Sequence, residues 1–234
     1  MIIEKTKSDF VNPGSAVFLG CSWKYLSVLF DLCHESNGAT VFHVFQNVEV
    51  DAPQDDFSSI GYNCIVYKPG MKKNHEGLNL YMGLPGPFAK YAVFRDFSKE
   101  LSLEQNAINT LIHPSAYVAS SSMLGAGNVI EPHVIISSRA ETGFCVTIKR
   151  GSSVGHHAFI GDYVEVNPGV IIASGVYVGQ SCIIGSGTVI REGLTIGKNS
   201  KIGMGSVVTR DIPEGVVAFG NPCRVLRDNE IRKP

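Results

Sequence analysis

Residues 154–190 read VGHHAFIGDYVEVNPGVIIASGVYVGQSCIIGSGTVI, with an aliphatic residue at every sixth position. The spacing continues in both directions, and only Thr142 departs from it among the sixteen positions, which are Val118, Leu124, Ile130, Ile136, Thr142, Ile148, Val154, Ile160, Val166, Ile172, Val178, Ile184, Ile190, Ile196, Ile202 and Val208. A step of six turns an α-helix by about 600°, which leaves successive residues roughly 120° apart around its axis. On β-strands an even step keeps them on one face. The repeat therefore predicts short strands that share one apolar side.

The glycines follow the same repeat. The chain has 25 glycines, and 15 of them lie within residues 118–213. Each of these 15 comes either one or three positions after one of the sixteen repeat positions. Glycine is favoured where the backbone needs a positive φ or must approach another backbone closely. The glycines therefore predict tight corners between the short strands.

The hexad, (Leu, Ile or Val)-Gly-x-Gly-small-x, resembles the hexapeptide repeat of the left-handed parallel β-helix acyltransferases. In that family three hexads make one triangular coil, so the resemblance implies about five coils for this repeat. The left hand is implied by the resemblance and not by the spacing, since general chirality rules favour right-handed crossovers.

The first 110 residues have a different pattern. Apolar runs predict strands at 14–20, 40–45, 63–67 and 78–84. Between and after them, one helix is predicted from a Ser22 cap to His34 and another over 87–101. Alternating strands and helices indicate a small, Rossmann-like α/β domain with a parallel sheet. The predicted domains are therefore residues 1–110, α/β, and residues 111–234, the β-helix with a C-terminal tail.

Charge and cysteine usage exclude several classes of protein. Lys and Arg total 20 and Asp and Glu total 21, so no strong field favours nucleic acid or an anionic membrane. The first ten residues contain no apolar core of an export signal, and no apolar run is long enough to span a membrane. The six cysteines are dispersed without a CxxC pair, which predicts reduced thiols and a cytoplasmic protein.

The two-part layout resembles the bacterial sugar acyltransferases related to sialic acid O-acetyltransferases and nucleotide-amino-sugar N-acetyltransferases. The matching segments are IHPSA (112–116), VGHHAFIGDY (154–163) and VVTRDIPEGVVAFGNPCRVLR (207–227). The resemblance implies a homotrimer that uses acetyl-CoA as the acyl donor and no metal. It implies acetylation of the amino group of a nucleotide-linked sugar in bacterial surface glycan biosynthesis. O-acetylation of a sugar hydroxyl remains the alternative.

The family places its general base at the position of His156, and histidine suits this role because its ordinary pKa is about 6.5. A backbone N–H from a neighbouring coil would hold the oxyanion of the tetrahedral intermediate. Relatives often carry an acid directly after the base, where this chain has His157. Candidates for an orienting acid are Asp162, Glu165 and Glu141, or a residue of a neighbouring subunit.

The remaining site residues are also implied by the resemblance. The cofactor contacts are expected at Glu165, Ser174, Ser186, Met204 and Lys201, and further basic residues that could hold the CoA phosphates are Lys198, Arg210, Arg224 and Arg227. In the first domain, the loop LGCSWKY (19–25) departs from the glycine-rich family loop and keeps only Gly20. The sugar substrate is expected there on Gly20, Ser22 and Lys24, and a plain strand-to-helix turn without a ligand is the alternative.

His34, His43 and His75 are expected to be packing or surface residues, and His113 a turn residue before Pro114. A γ-type carbonic anhydrase would need His133, His156 and His157 as zinc ligands. Adjacent strand residues point to opposite faces, which argues against that set. A catalytically inactive trimeric scaffold is the non-enzymatic alternative.

Overall fold

The computed structural model describes residues 14–51, 57–70 and 79–230. The predictions for His75 and for the first ten residues lie outside these ranges. The chain divides into two compact units. One contains residues up to Pro85 together with Ala89–Leu111, and the other contains Gly86–Phe88 and the residues from Ile112 onward. None of the described helices is long and apolar enough to cross a membrane.

The first unit is a parallel α/β sheet. Its strands and helices are β1 (Ser15–Leu19), α1 (Trp23–Asn37), β2 (Val41–Phe45), β3 (Asn63–Tyr67), β4 (Asn79–Met82) and α2 (Pro87–Leu101), with short 3₁₀ turns at Phe57–Ile60 and Gln105–Ala107. The strand order is β3-β2-β1-β4 with every pair parallel. Because β1 lies inside the sheet, all five of its residues are buried. The predicted strands and helices are confirmed where the structure describes them.

Helix α1 begins where the sequence predicts but ends later than predicted. Ser22 occupies the N-cap position, yet its side chain makes no capping hydrogen bond. The helix continues beyond His34 to Asn37 and ends at Gly38, whose φ of 74° is left-handed. The Gly38 N–H donates to the His34 carbonyl at 2.7 Å and closes the last turn. The residues predicted to face the core are buried, namely Tyr25, Leu26, Leu29 and Phe30.

The second unit is a parallel β-helix. Its strands in chain order are β5 (Leu111–Ile112), β6 (Tyr117–Val118), β7 (Met123–Leu124), β8 (Val129–Ile130), β9 (Ile135–Ile136), β10 (Glu141–Thr142), β11 (Thr147–Ile148), β12 (Ser153–Val154), β13 (Phe159–Ile160), β14 (Glu165–Val166), β15 (Ile171–Ile172), β16 (Tyr177–Val178), β17 (Ile183–Ile184), β18 (Val189–Ile190), β19 (Thr195–Ile196), β20 (Lys201–Ile202), β21 (Val207–Val208), β22 (Val216–Gly220) and β23 (Cys223–Asp228). Each strand from β6 to β21 ends at one of the sixteen repeat positions. The predicted hexad is therefore the structural unit.

The strands form three faces. Face 1 contains β6, β9, β12, β15, β18 and β21; face 2 contains β7, β10, β13, β16 and β19; face 3 contains β5, β8, β11, β14, β17, β20, β22 and β23. From β5 to β21, paired strands are three strands apart along the chain, as Val118 of β6 and Ile136 of β9 are; at the end of face 3, β22 pairs with β20, and β23 is antiparallel to β22. Three hexads thus make one coil. We refer to the turns between the faces as corner 1–2, corner 2–3 and corner 3–1.

The repeat positions fill the interior, and the glycines serve the corners in two ways. Ile136, Val154 and Ile172 are buried in one continuous column of the core. The glycine three positions after a repeat residue adopts a positive φ, as Gly175 does at 65°. The glycine one position after leaves room for the next coil, because a Cβ at Gly155 would lie 2.5 Å from the Ser174 nitrogen. Both reasons predicted from the sequence are confirmed.

Candidate functional site

His156 and His157 are the two residues of corner 1–2 between β12 and β13. Both side chains are exposed, and their Nδ1 atoms lie 3.1 Å apart. The rings are nearly perpendicular, at 88°. The expectation that these side chains point to opposite faces is wrong, because they lie in a turn and not on a strand. The φ of His157 is 58°, which turns its ring toward that of His156.

The adjacent coils fix the backbone of this corner. The His157 N–H donates to the Ser138 carbonyl at 3.2 Å, and the His156 carbonyl accepts from the Gly175 N–H at 2.9 Å. Ser174, a predicted cofactor contact, occupies the same position as His156 one coil further along. The structure therefore brings His156, His157 and Ser174 together at corner 1–2.

The three candidate acids lie elsewhere in the chain. Asp162 is at corner 2–3, where its Oδ1 accepts from the Phe144 N–H at 2.8 Å. Glu165 is buried on face 3 and forms an ion pair with Lys149, whose Nζ also donates to Asn167 Oδ1 at 2.9 Å. Glu141 lies on β10 of face 2. Among the described residues of one chain, no carboxylate hydrogen-bonds to either histidine ring, so the structure does not bring Asp162 to His156.

Asp162 instead lines a pocket on face 2 at corner 2–3. The cavity has a volume of about 400 Å³. The rings of Phe159 and Tyr177 stack along one side of it, with centroids 5.0 Å apart. Lys198 and Glu214, which form an ion pair of 3.4 Å, also line it. The hexad pattern did not reveal this pocket, because its residues come from four successive layers of the β-helix.

The other predicted cofactor residues surround face 3 and corner 3–1. Ser186 and Met204 are stacked at that corner, where the Gly205 N–H donates to the Ser186 carbonyl at 2.8 Å. The Met204 side chain is 80% exposed. Lys201 lies on β20, next to Ile183 of β17, and Glu165 is on the following strand of the same face. Within one chain, these residues therefore lie apart from His156, because none of them belongs to corner 1–2.

Three of the basic residues predicted to hold the CoA phosphates have partners within the chain. Lys198 pairs with Glu214, Arg224 Nη1 donates to the Cys223 carbonyl at 2.8 Å, and Arg227 Nη1 donates to the Asp228 carbonyl at 3.1 Å. Arg224 and Arg227 lie on β23 of face 3. They are exposed, so these contacts leave most of each guanidinium available to an anion.

The loop after β1 is the candidate substrate site of the first unit. It joins the carboxyl end of β1 to the N-terminus of α1, beside the point where the strand order reverses between β1 and β4. Such points form the ligand crevice of open α/β sheets. Gly20 has a φ of 82°, and a Cβ there would lie 2.9 Å from Leu84 Cγ. Gly20, half-buried Ser22 and exposed Lys24 are thus together at a helix N-terminus, which favours anions.

Trp23 contacts two other segments of the first unit. Its indole Nε1–H donates to the Asp51 carbonyl at 2.5 Å, and its ring lies 6.2 Å from that of Phe57. The sequence did not reveal that Asp51 and Phe57 contact Trp23, because both are distant from it along the chain. The bulky side chain therefore has a defined place at the edge of this loop.

The cysteines and histidines give no separate catalytic centre in the described residues. All six cysteines are free, and burial raises the pKa of Cys21 to about 11 and of Cys182 to about 12. His133 lies at corner 3–1 and not with His156, and no group of three metal-binding side chains occurs among the described residues. His34 and His43 bond to Ala39 and Tyr67, and the His113 ring accepts from the Ser115 N–H within a turn, as expected.

Comparison with known proteins identifies the fold. Residues 175–210 match the model of the bacterial transferase hexapeptide (six repeats). The acetyltransferase domain of PglB from Neisseria gonorrhoeae, solved with acetyl coenzyme A, has a TM-score of 0.77 at 19% identity over 92% of this chain and 100% of that one. The fold is the left-handed parallel β-helix of hexapeptide-repeat proteins, preceded by a Rossmann-like domain. The fold class predicted from the sequence is confirmed.

Two other solved structures have the same architecture. A variant of perosamine N-acetyltransferase from Caulobacter crescentus, in complex with CoA and GDP-perosamine, has a TM-score of 0.76 at 23% identity, over 94% of this chain and 100% of that chain. WeeI from Acinetobacter baumannii has a TM-score of 0.72 at 20% identity, over 91% of this chain and 99% of that chain. The sequence has no significant match among curated proteins.

Proposed function

We propose that the chain is an acetyl-CoA-dependent acyltransferase that acetylates the amino group of a nucleotide-linked sugar in bacterial surface glycan biosynthesis. The observation that carries this proposal is the corner with His156, an exposed imidazole on a β-helix whose architecture occurs in acetyltransferases. The perosamine N-acetyltransferase structure holds both CoA and a nucleotide-linked amino sugar. The Gly20–Lys24 loop supports a nucleotide-linked acceptor, because a helix N-terminus at a sheet crevice favours a pyrophosphate.

His156 acts as the general base in this proposal. Its Nδ1 contacts His157, and its Nε2 makes no hydrogen bond within the described chain, so Nε2 is open to an acceptor. The amine nitrogen attacks the thioester carbonyl carbon and passes its proton to Nε2. The C–S bond then breaks, and the CoA thiolate leaves and takes up the proton from Nε2, which restores the base. A backbone N–H of a neighbouring coil holds the oxyanion in between.

The chain acts as a homotrimer in the cytoplasm in this proposal. The separation of His156 from Ser186 and Met204 within one chain supports a site shared between two chains. The six free thiols support a reducing compartment.

The test is thiol release from acetyl-CoA in the presence of nucleotide-linked amino sugars, free amino sugars and sugars with hydroxyl groups only. We expect release with the nucleotide-linked amines. Replacing His156 by Ala should lower kcat by roughly 10²–10⁴-fold, which is the usual contribution of general base catalysis. Acetyl-CoA binding should be unchanged. His133→Gly, at a different corner, is the matched control and should keep wild-type turnover.

Three outcomes contradict parts of the proposal. Normal turnover in the His156→Ala variant would remove the assigned base. Release with hydroxyl sugars but not with amines would indicate O-acetylation. Absence of both acetyl-CoA binding and thiol release with every acceptor would favour the scaffold function.

A further inference from the structure

The ring of His156 has one hydrogen-bonding partner among the described residues, and that partner is another histidine. The two Nδ1 atoms are 3.1 Å apart, which is a hydrogen-bond distance. Two neutral imidazoles can form this bond only when one Nδ1 carries a proton and the other offers a lone pair. The contact therefore fixes opposite tautomers on the two rings.

Only one of the two arrangements suits a base at His156. If His157 donates, the proton of the neutral His156 ring is on Nε2. Nε2 then has no lone pair with which to accept a proton from the substrate. If His156 donates from Nδ1, its Nε2 keeps a lone pair toward the acceptor. In that arrangement His157 carries its own proton on Nε2.

We propose that His157 is the positioning residue for His156, and that it accepts the Nδ1–H bond in place of a carboxylate. This inference rests on the proposed function of His156. When Nε2 of His156 takes the acceptor proton, the resulting imidazolium still donates its Nδ1–H to the neutral His157. Nε2 then returns this proton to the departing CoA thiolate, and His156 regains its Nδ1–H tautomer with the hydrogen bond to His157 intact.

Among the described residues, no charged group near this corner replaces His157 as the hydrogen-bond partner of the His156 ring. The preceding coil carries Arg139 and Glu141 near this corner, the following coil carries the uncharged Ser174, and Arg191 and Glu192 lie on the second coil after His156. None of them hydrogen-bonds to either ring within the described chain. A neutral imidazole stabilises the His156 imidazolium less than a carboxylate would. A carboxylate in place of His157 should therefore stabilise the imidazolium of His156 more than the native ring does.

The backbone at His157 permits a clean removal of the ring. Its φ of 58° is left-handed, and the equivalent corner positions of the next two coils are Gly175 and Gly193, with φ of 65° and 69°. Glycine at position 157 should therefore adopt the same left-handed backbone, as it does at the equivalent positions of the next two coils. His133, also left-handed at 58°, is matched by glycines at corner 3–1, such as Gly151, so His133→Gly is an equivalent control.

The experiment compares His157→Gly, His157→Asn, His157→Glu and His133→Gly in the thiol-release assay over a range of pH. We expect His157→Gly to lower kcat about 10–100-fold, as removal of groups that orient a functional histidine does, with KM nearly unchanged. His157→Asn should keep most of the wild-type kcat, because its carbonyl oxygen can accept the Nδ1–H. His157→Glu should move the acidic limb of kcat/KM to higher pH by up to about one unit.

A second measurement does not depend on activity. The ¹⁵N shifts of the His156 ring should report the Nδ1–H tautomer in the wild type and a mixture of tautomers in His157→Gly. The proposal is overturned if His157→Gly keeps the wild-type kcat and pH profile, or if the tautomer of His156 does not respond to it. If His156→Ala is active, or the wild type shows no transfer, the proposed function fails, and the tautomer measurement still decides the role of His157.

Discussion

At the scale of single residues, Thr142 is the break in the repeat, and the structure explains it by a buried polar contact. Thr142 Oγ1 accepts from Asn128 Nδ2 at 2.5 Å, and Asn128 Oδ1 accepts from the Val146 N–H at 2.7 Å. Asn128 is fully buried. A polar side chain at Thr142 is therefore tolerated because its partner satisfies it.

Asn128→Ala should lower the free energy of unfolding by roughly 1–3 kcal/mol, because it leaves the buried Val146 N–H without its acceptor and removes the shorter of the two contacts of Thr142 Oγ1. The measurement is chemical denaturation at a fixed protein concentration. Asn63, exposed at the start of β3, gives the matched Asn→Ala control, for which a change within about 0.5 kcal/mol is expected. Equal effects at both positions would show that the contact contributes nothing.

The site residues show what spacing could and could not reveal. The hexad phase fixes which residues occupy corners, so His133, His156 and His157 were predictable as corner residues. The phase does not give side-chain direction within a turn, and the contact between the rings of His156 and His157 therefore escaped it. Asp162 was predicted to lie near His156 because it is close in sequence. A step of six residues, however, reaches the next corner of the coil, so Asp162 lies at corner 2–3 and His156 at corner 1–2.

At the scale of elements, the predictions succeeded where a local pattern decides the structure. Strand β3 and helix α2 have the predicted bounds, because apolar alternation and a proline at the first helical position are local signals. The end of α1 was predicted too early, because the left-handed Gly38 terminates the helix and not His34. The order of the four strands depends on packing between distant segments, and the alternation of strands and helices did not specify it.

The two classes of corner glycine should respond in opposite ways to substitution. A Cβ at Gly179 would lie 2.6 Å from the Lys198 nitrogen, whereas Gly193 has a φ of 69° and open space around its Cβ position. At Gly193, Asn should be tolerated better than Ala, because Asn adopts left-handed backbone more readily and Ala costs about 1–2 kcal/mol there. At Gly179, both should destabilise by overpacking, roughly 1–3 kcal/mol or more, and Asn should be the worse.

Thermal or chemical unfolding of the four variants checks this crossed order. Gly179 is at corner 2–3 and Gly193 is at corner 1–2 two coils after His157, so neither belongs to the coil of His156, and acetyl transfer by the folded variants should be retained. The same ranking of Ala and Asn at both positions would contradict the assignment of separate steric and conformational causes.

At the scale of the whole molecule, the outer side of face 1 has an apolar ladder. It consists of the exposed side chains Tyr117, Ile135, Ile171 and Val189. An exposed apolar patch of this kind is typical of a protein–protein interface. The ladder lies next to both corner 1–2, with His156, and corner 3–1, with Ser186 and Met204. A partner packed on face 1 would therefore lie beside both groups of predicted site residues.

Ile171→Asp should dissociate the proposed trimer, because a carboxylate in the centre of the ladder would lose its hydration on association. Tyr177→Asp is the matched control on face 2, since Ile171 and Tyr177 are both 48% exposed. Light scattering should give a trimer for the wild type and the control and a smaller species for Ile171→Asp. Because the site is expected to need two chains, this variant should also lose thiol release while keeping His156. A monomeric wild type, or an active trimer of Ile171→Asp, would show that face 1 does not build the site.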